Sequence, residues 1–333
     1  MPIRDVIIVG AGPSGLSAAI AAKQRNLDYQ VIEQGVLVNS IFRFPPQMVF
    51  FTTPELLEIG GLPFMSPFEK PTRAEALNYY RKVVDKFDLQ LACEEAVVSI
   101  AREDAEEPGE RRESIFAIET RSSRGVRRVR HARHVVLAIG YFDRPVRLGI
   151  PGEDLPHVHH YYSEPHPYYR QRVVVVGGGN SAAESSLEMY RAGAHVTLIH
   201  RHPELKSTIK YWVRPDIDNR IREESIAARF NTCITEIRPT SVVVKGTVGI
   251  EEIPADAVFL LTGYRADSDL MARAGIEFNE RHGPHHNPET FETNVPGLFV
   301  AGGAIAGDET GTVFIENGRF HGEKIIEVIA DRV

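Results

Sequence analysis

Apolar residues in this chain gather into short β-branched runs, and the runs recur in a fixed order. "DVIIVG" (5–10) leads into Gly10-x-Gly12-x-x-Gly15, then "LSAAIAAKQRN" (16–26) and a second run, "YQVIE" (29–33). Further on, "RVVVVG" (172–177) leads into Gly177-x-Gly179-x-x-Ala182, "AESSLEMYRAG" (183–193) and "HVTLIH" (195–200). Apolar runs without polar alternation predict strands buried on both faces, and the small-residue segments between them predict helices. Each set thus reads as strand, tight glycine turn, helix and second strand.

Between the two sets the pattern changes. "NSIFRFPPQMVFFTTPELLEIGGLPF" (39–64) holds four prolines and paired glycines, which preclude a long regular element. Its aromatics, interleaved with Thr52 and Thr53, either lie against a flat ring or pack on themselves. Thr72 with Glu75 three residues on predicts a capping box ahead of a helix, "ALNYYRKVVDKF" (76–87). Strands are predicted at "LQLACEEAVVSI" (89–100), "IFAIETR" (115–121) and "HVVLAIG" (134–140), with the charged "REDAEEPGERRE" (102–113) as a hairpin tip. "NVPGLFVAGGAIAGDETGTVFIENGRFHGEKIIEVI" (294–329) predicts a strand, a glycine-rich loop and one final helix.

"AIG" (138–140) and "LTG" (261–263) read as equivalent crossings between two domains. The expected fold class is α/β, with two Rossmann-like three-layer dinucleotide-binding domains, the second inserted into the first. The expected boundaries are 1–147 and 266–333 for the outer domain and 148–265 for the inserted one.

Composition narrows the function. A chain of 333 residues, 43% hydrophobic and 25% charged, has material for two cores. A formal charge of −7 argues against nucleic acid or an anionic membrane as partner. The arginine-rich stretch (Arg121, Arg124, Arg127, Arg128, Arg130, Arg133) is expected to be the solvated face of a hairpin. The apolar run at 6–22 resembles a signal peptide, but its glycines and Pro13 would break the helix, so a cytoplasmic location is expected. Two cysteines, Cys93 and Cys233, lie in strand-like contexts and are expected to be buried structural thiols. They form no CxxC pair.

Two glycine loops call for two nucleotides. In each, the first glycine makes the turn, the second admits a pyrophosphate, and the third small residue lets helix pack on strand. The ends of the second strands differ. Glu33 and His200 stand at the same offset from Gly10 and Gly177, and His200 is followed by Arg201 and, further on, Lys206. A carboxylate at this place accepts a ribose hydroxyl and repels a 2′-phosphate, whereas cations attract one. FAD is therefore assigned to the first loop and NADPH to the second. Among the histidines, His157, His159, His160 and His166 are expected to be packing and surface, and His282, His285 and His286 a turn, so no metal site is expected. The helix start in "FIENGRFHGEK" (314–324) is expected to aim its backbone N–H groups at the flavin ring.

The order of these motifs resembles the two-domain flavoproteins of the thioredoxin-reductase-like pyridine nucleotide-disulfide oxidoreductases, and most specifically the bacillithiol-disulfide reductase family. The resemblance rests on "IPGEDLPHVHHYYSEPHPYYRQRVVVVGGGNSA" (150–182), "STIKYWVRPDIDNRI" (207–221) and "FIENGRFHG" (314–322) and spans nearly the whole chain. It implies an FAD-dependent NAD(P)H oxidoreductase. It implies FAD contacts at Gly10, Gly12, Pro13, Ser14, Gly15, Glu33, Gln34, Thr52, Thr53, Gly140, Gly302, Gly303, Asp308 and Ile315. For NADPH it implies Gly177, Gly179, Asn180, Ser181, Ala182, His200, Arg201 and Lys206.

Two departures bear on chemistry. Thioredoxin reductases carry a CxxC in the inserted domain, where this chain has "HHYYSEPH" (159–166). The bacillithiol-disulfide reductase family usually has a cysteine in its first fingerprint, where this chain has Ser14. No catalytic side chain is certain. The expected acceptor is a small molecule, of thiol/disulfide type, or a small redox protein, and a homo-oligomer is expected. Other readings are a flavin-containing monooxygenase, suggested by Gly152, His157 and Tyr161, a ferredoxin or redoxin reductase, and a non-catalytic NADPH sensor.

Overall fold

The computed structural model describes residues 3–105 and 113–333. In chain order, β1 (Ile3–Val9), α1 (Pro13–Gln24) and β2 (Tyr29–Ile32) form the first strand–helix–strand. The proline-rich stretch yields only α2 (Asn39–Phe42) and a 3-10 turn at Pro54–Leu57. α3 (Arg73–Phe87) follows, with Thr72 and Glu75 exchanging the reciprocal bonds of a capping box. Then come β3 (Leu91–Ala92), β4 (Glu95–Ala105), β5 (Glu113–Ser122) and β6 (Arg127–Leu137). Most of the tip expected at 102–113, residues 106–112, lies outside the described residues.

The next segment contains β7 (Val158–His159), β8 (Arg172–Val176), α4 (Asn180–Arg191), β9 (His195–Ile199), α5 (Arg214–Arg222) and β10 (Ala227–Arg229). It continues with β11 (Cys233–Arg238), β12 (Ser241–Gly246), β13 (Gly249–Pro254) and β14 (Ala257–Leu260). The chain ends with α6 (Ser268–Arg273), β15 (Leu298–Val300), α7 (Ile315–Gly318) and α8 (His321–Ala330). Contacts divide it into two compact units. One ends at Arg144 and resumes at Arg265, and the other is Pro145–Tyr264.

Both units follow one plan. In the first, β3-β2-β1-β6 run parallel, β15 adds to β6, and β4-β5-β6 form an antiparallel meander. In the second, β10-β9-β8-β14-β7 run parallel and β11-β12-β13 are the meander. The uninterrupted apolar runs now have a cause. Val6 and Ile8 join the core beneath α1 and α8, while Ile7 and Val9 join the core beneath the meander with Phe116 and Ile118. Likewise Val173 and Val175 pack with α4, and Val174 and Val176 with the meander residues Ile237 and Val242. Each central strand feeds two cores, so neither face can be polar.

Three local expectations are corrected. The arginine-rich stretch is not only a solvated face, because β6 starts at Arg127 and pairs with β5 from there to Ala132. Arg130 Nη2 and Arg128 Nη1 both donate to Glu95, a buried carboxylate that also accepts the Thr120 hydroxyl. Both cysteines are exposed rather than buried. Cys93 falls in the turn before β4, beside Glu94 at φ +55°, and Cys233 opens β11 on its outward face. The final helix is two helices, because the Gly318 carbonyl turns to accept the Ser14 hydroxyl at 2.9 Å. Among the described residues no helix is long and apolar enough to cross a membrane.

Candidate nucleotide-binding sites

The turn after β1 is set by crowding. A Cβ on Gly10 would lie 2.4 Å from the Ala138 carbonyl oxygen, and its φ of +108° suits glycine alone. A Cβ on Gly15 would meet the Gly10 oxygen at 1.9 Å, so α1 can start this close to β1 only with glycine there. Gly12, at the cap position, faces open space, and α1 has no side-chain cap. The first-turn N–H groups of a helix lack internal partners, so this opening offers them to an anion.

Glu33 closes the turn from β2. Its Oε2 accepts the Ala11 N–H at 2.8 Å and its Oε1 the Gly35 N–H at 2.8 Å. Burial holds its carboxyl above the ordinary range, against the pull of those two amides, with nearby Asp143 adding to the rise. Asp143 is a residue the sequence did not single out. It accepts from Gln34 Nε2 at 3.0 Å, Asn39 Nδ2 at 3.2 Å and Arg43 Nη1 at 3.0 Å. Gln34 is thereby turned to Asp143, and the loop after β2 is gathered over the strand end.

A second group assembles around the start of α1. Gly302, at φ +62°, lies so close to Ser14 that a Cβ there would be 2.4 Å from the Ser14 hydroxyl. The Gly302 N–H donates to His321 Nδ1 at 3.1 Å, and the His321 ring stacks on Phe291 at 4.3 Å. Burial, with His286 and Lys324 nearby, pushes His321 down to about 4, so it is neutral and can accept. Gly303 lies against the Tyr141 ring, and Gly140 faces open space. His321 was missed because its partner lies across a loop, although it stands inside "FIENGRFHG".

The 39–64 stretch packs largely on its own residues and on α7. Phe44 meets Phe50 and Phe142 edge-on, and Phe51 meets Phe314 at 5.7 Å. Arg319 Nη1 donates to the Glu55 and Glu58 carbonyls at 2.8 and 2.6 Å, which pins the Pro54 turn beside α7 and Ile315. Thr52 is buried and Thr53 precedes that turn. Asp308 is engaged by two bases. Its carboxylate is exposed and bound by His282 Nδ1 at 2.7 Å and Arg265 Nη2 at 2.8 Å, which hold it below the ordinary range.

The inserted unit repeats the turn with different chemistry. A Cβ on Gly177 would be 2.5 Å from the Leu261 oxygen and 2.9 Å from the Ala182 methyl. Gly179 faces open space at the uncapped start of α4, beside exposed Ser181. Where Glu33 stands in the first unit, the buried His200 ring lies flat on Gly178, 2.1 Å from where a Cβ would be. Burial and the neighbouring bases His202, Lys206 and Arg201 push His200 down, and its Nε2 has no hydrogen-bond partner among the described residues. The Lys206 N–H donates to the Gly178 carbonyl at 2.9 Å, bringing that basic segment onto the glycine loop.

Asn180 does not offer its side chain to this opening. Its Oδ1 accepts the Lys210 N–H at 2.9 Å and its Nδ2 donates to the Thr208 carbonyl at 3.2 Å, so both ends hold the following loop. Gly152 is used in packing, since a Cβ there would meet the Ile237 oxygen at 1.9 Å. Tyr161 stacks on Tyr264 at 5.6 Å and His159 lies on Phe259 at 5.0 Å. Among the described residues no group of three or more His, Cys, Asp or Glu could hold a metal ion.

The comparisons with known proteins identify the family. Residues 7–302 match the model of the family described as pyridine nucleotide-disulphide oxidoreductase. Bacilliredoxin reductase Bdr of Bacillus subtilis (strain 168) is 40% identical over 331 residues, 99% of this chain and 98% of that protein. The structure of bacillithiol disulfide reductase Bdr (YpdA) from Bacillus cereus superposes with a TM-score of 0.93 at 36% identity, covering 100% of both chains. T. acidophilum thioredoxin reductase, at 22% identity and TM-score 0.74 over 100% of this chain and 99% of that one, shares the fold. The chain therefore belongs to the pyridine nucleotide-disulphide oxidoreductase family, as a thioredoxin-reductase-like oxidoreductase that works with FAD and NAD(P)H.

Proposed function

We propose that the protein takes electrons from NADPH into FAD and passes them to a small acceptor without using a cysteine of its own. In this reading the unit closed by Glu33 holds FAD and the inserted unit, Pro145–Tyr264, holds NADPH. The observation that carries it is the opposite chemistry at two equivalent strand ends. Glu33 is a carboxylate with lone pairs left for a ribose hydroxyl. The matching segment carries His200, Arg201, His202 and Lys206 against a single carboxylate, Glu204, and rests on the glycine loop. Hydrogen bonds to charged groups contribute about 1.5–3 kcal/mol each, so even one contact to a 2′-phosphate favours NADPH over NADH by tenfold or more.

Bound FAD supplies two-electron transfer with the nicotinamide, and the protein supplies position and exclusion of water. Gly10, Gly12 and Gly15 shape the opening at α1 for a pyrophosphate, and Gly177, Gly179 and Ala182 do so at α4. In this reading Gly140, Gly302 and Gly303, with Thr52, Thr53 and Ile315, would border the flavin. Asp308, paired with Arg265 and His282, would have to share its carboxylate with those two bases to meet the flavin.

The relatives named for reducing bacilliredoxin and bacillithiol disulfide suggest an acceptor of the thiol/disulfide type or a small redox protein. Disulfide exchange requires a thiolate, and a serine hydroxyl does not provide one. Cys93 is no substitute: although its surface is exposed, the protein around its sulfur displaces water, and with Glu33 and Glu94 nearby this raises the thiol above its ordinary range and disfavours the thiolate. We therefore expect electrons to leave the flavin directly. Anaerobic NADPH titration should bleach the flavin absorbance, with NADH far weaker. A panel of disulfides, quinones, oxygen and small redox proteins then finds the acceptor. A flavin that NADPH leaves unbleached refutes the reading.

A further inference from the structure

A cavity of about 200 Å³ opens in the unit closed by Glu33, beside Thr53, one of the residues read above as bordering the flavin. Phe64, Met65 and Phe68 give it apolar walls, and the charged residues that line it, among those described, are Glu55 and Glu69. The backbone beneath these walls is held firmly. The Phe64 ring is buried and stacks on Tyr79 at 4.5 Å, and its N–H donates to Glu58 Oε1 at 2.8 Å. The Phe68 N–H donates to Ser66 Oγ at 3.1 Å, and that hydroxyl donates to Glu75 Oε1 at 2.8 Å, in the first turn of α3. Arg319 ties the Glu55 carbonyl to the end of α7, so the cavity is fixed against the segment that carries Ile315. On this frame Met65 is 85% exposed and Phe68 61%. Exposed apolar side chains on so firm a backbone are a preorganised surface, not a frayed loop.

We infer that this cavity receives the electron acceptor, and that the acceptor is a planar, uncharged ring of the quinone class. The inference rests on the NADPH-to-FAD step proposed above and adds the acceptor's chemistry. Aromatic and thioether walls suit the face of a flat ring, and the cavity is small for a nucleotide or a peptide. Two carboxylates, with no base among the lining residues, repel an anion and leave a neutral ring untouched. A quinone also suits a flavin with no cysteine beside it. The reduced flavin passes it a hydride, which is two electrons and one proton, and water supplies the second proton. Both quinone carbonyls become hydroxyls and the flavin returns to its oxidised form. No thiolate or mixed disulfide is needed.

The test sets menadione against a naphthoquinone sulfonate, the same two-ring quinone carrying a negative charge, as oxidants of the NADPH-reduced holoenzyme. The sulfonate group withdraws electrons and makes its ring the stronger oxidant, so a preference for menadione reports the site and not the driving force. At low ionic strength kcat/KM should favour menadione about fivefold or more, and added salt should narrow the gap. Glu55→Gln combined with Glu69→Gln should raise kcat/KM for the sulfonate about two- to threefold per charge removed and leave menadione unchanged. Phe68→Ala should weaken equilibrium binding of menadione to the oxidised holoenzyme about three- to tenfold, with FAD content and the rate of bleaching by NADPH unchanged. Equal use of the two quinones at low salt, or menadione binding indifferent to Phe68→Ala, overturns the inference. A smaller assembly of Phe68→Ala in solution shows that a second copy covers the cavity, and overturns it too. In each of these cases bleaching by NADPH leaves the earlier reading standing. Holoenzyme that NADPH does not bleach overturns that reading, while menadione binding, which needs no NADPH, still judges the cavity.

Discussion

The Ser14 hydroxyl donates to the Gly318 carbonyl across 2.9 Å, joining the first turn of α1 to the last residue of α7. Ser14→Ala removes this bond and should lower stability by about 0.5–1.5 kcal/mol. Ser14→Cys puts a thiol at a helix N-terminus, where the thiolate is favoured. If the hydroxyl is what bars disulfide exchange, NADPH consumption with a low-molecular-weight disulfide should rise at least about tenfold in Ser14→Cys. An unaltered protein that already turns over such a disulfide rapidly would contradict the proposed acceptor chemistry.

Glu33 holds the amides of Ala11 and Gly35 and keeps lone pairs for a ligand. Glu33→Gln keeps the shape but loses the charge and one acceptor. With charge-assisted bonds at about 1.5–3 kcal/mol, FAD affinity should fall by one to two orders of magnitude. Flavin content after purification and fluorescence titration of the apoprotein measure this directly.

Gly178 has no room for a side chain because the His200 ring occupies the space. In Gly178→Ala the ring must move, at a cost of about 1–3 kcal/mol for overpacking. The KM for NADPH should rise while FAD content stays unchanged, since the change lies within the inserted unit. Equal loss of both cofactors would place the fault in folding rather than in the nucleotide loop.

His321 is held down to about 4, chiefly by burial, against 6.5 for a free imidazole. Between those values the unfolded chain binds a proton that the folded protein does not. This contribution to stability is therefore complete above about pH 6.5 and is lost as pH falls toward about 4. Urea midpoints across that window should drop less in His321→Gln than in the unaltered protein. The same variant should loosen the turn at Gly302, read as weaker FAD binding at neutral pH, where protonation plays no part.

Much of the molecule is legible in the chain alone. Both strand–turn–helix–strand sets, the capping box at Thr72 and the offset that equates Glu33 with His200 are local patterns, each written within a few dozen residues. The two cores per unit are implied as well, because a strand apolar at every position has to be covered on both faces. Sequence patterns fail where one residue's role depends on a distant partner. The arginine run reads as solvated because Glu95, which gathers Arg128 and Arg130, lies some thirty residues upstream. Asn180 reads as a phosphate ligand because nothing near it shows the Thr208–Lys210 loop folding back.

The sequence by itself determined the α/β fold class, the paired openings and the acidic and basic strand ends, since hydrophobic period and glycine spacing act over short distances. Only the tertiary structure decided that Cys93 and Cys233 face solvent, that Asp308 is bound to His282 and Arg265, and that Ser14, Gly302, Gly318 and His321 share one corner. Ser14 and Gly318 are 304 positions apart. Such contacts are set by how whole layers pack, and no periodicity in the chain encodes them.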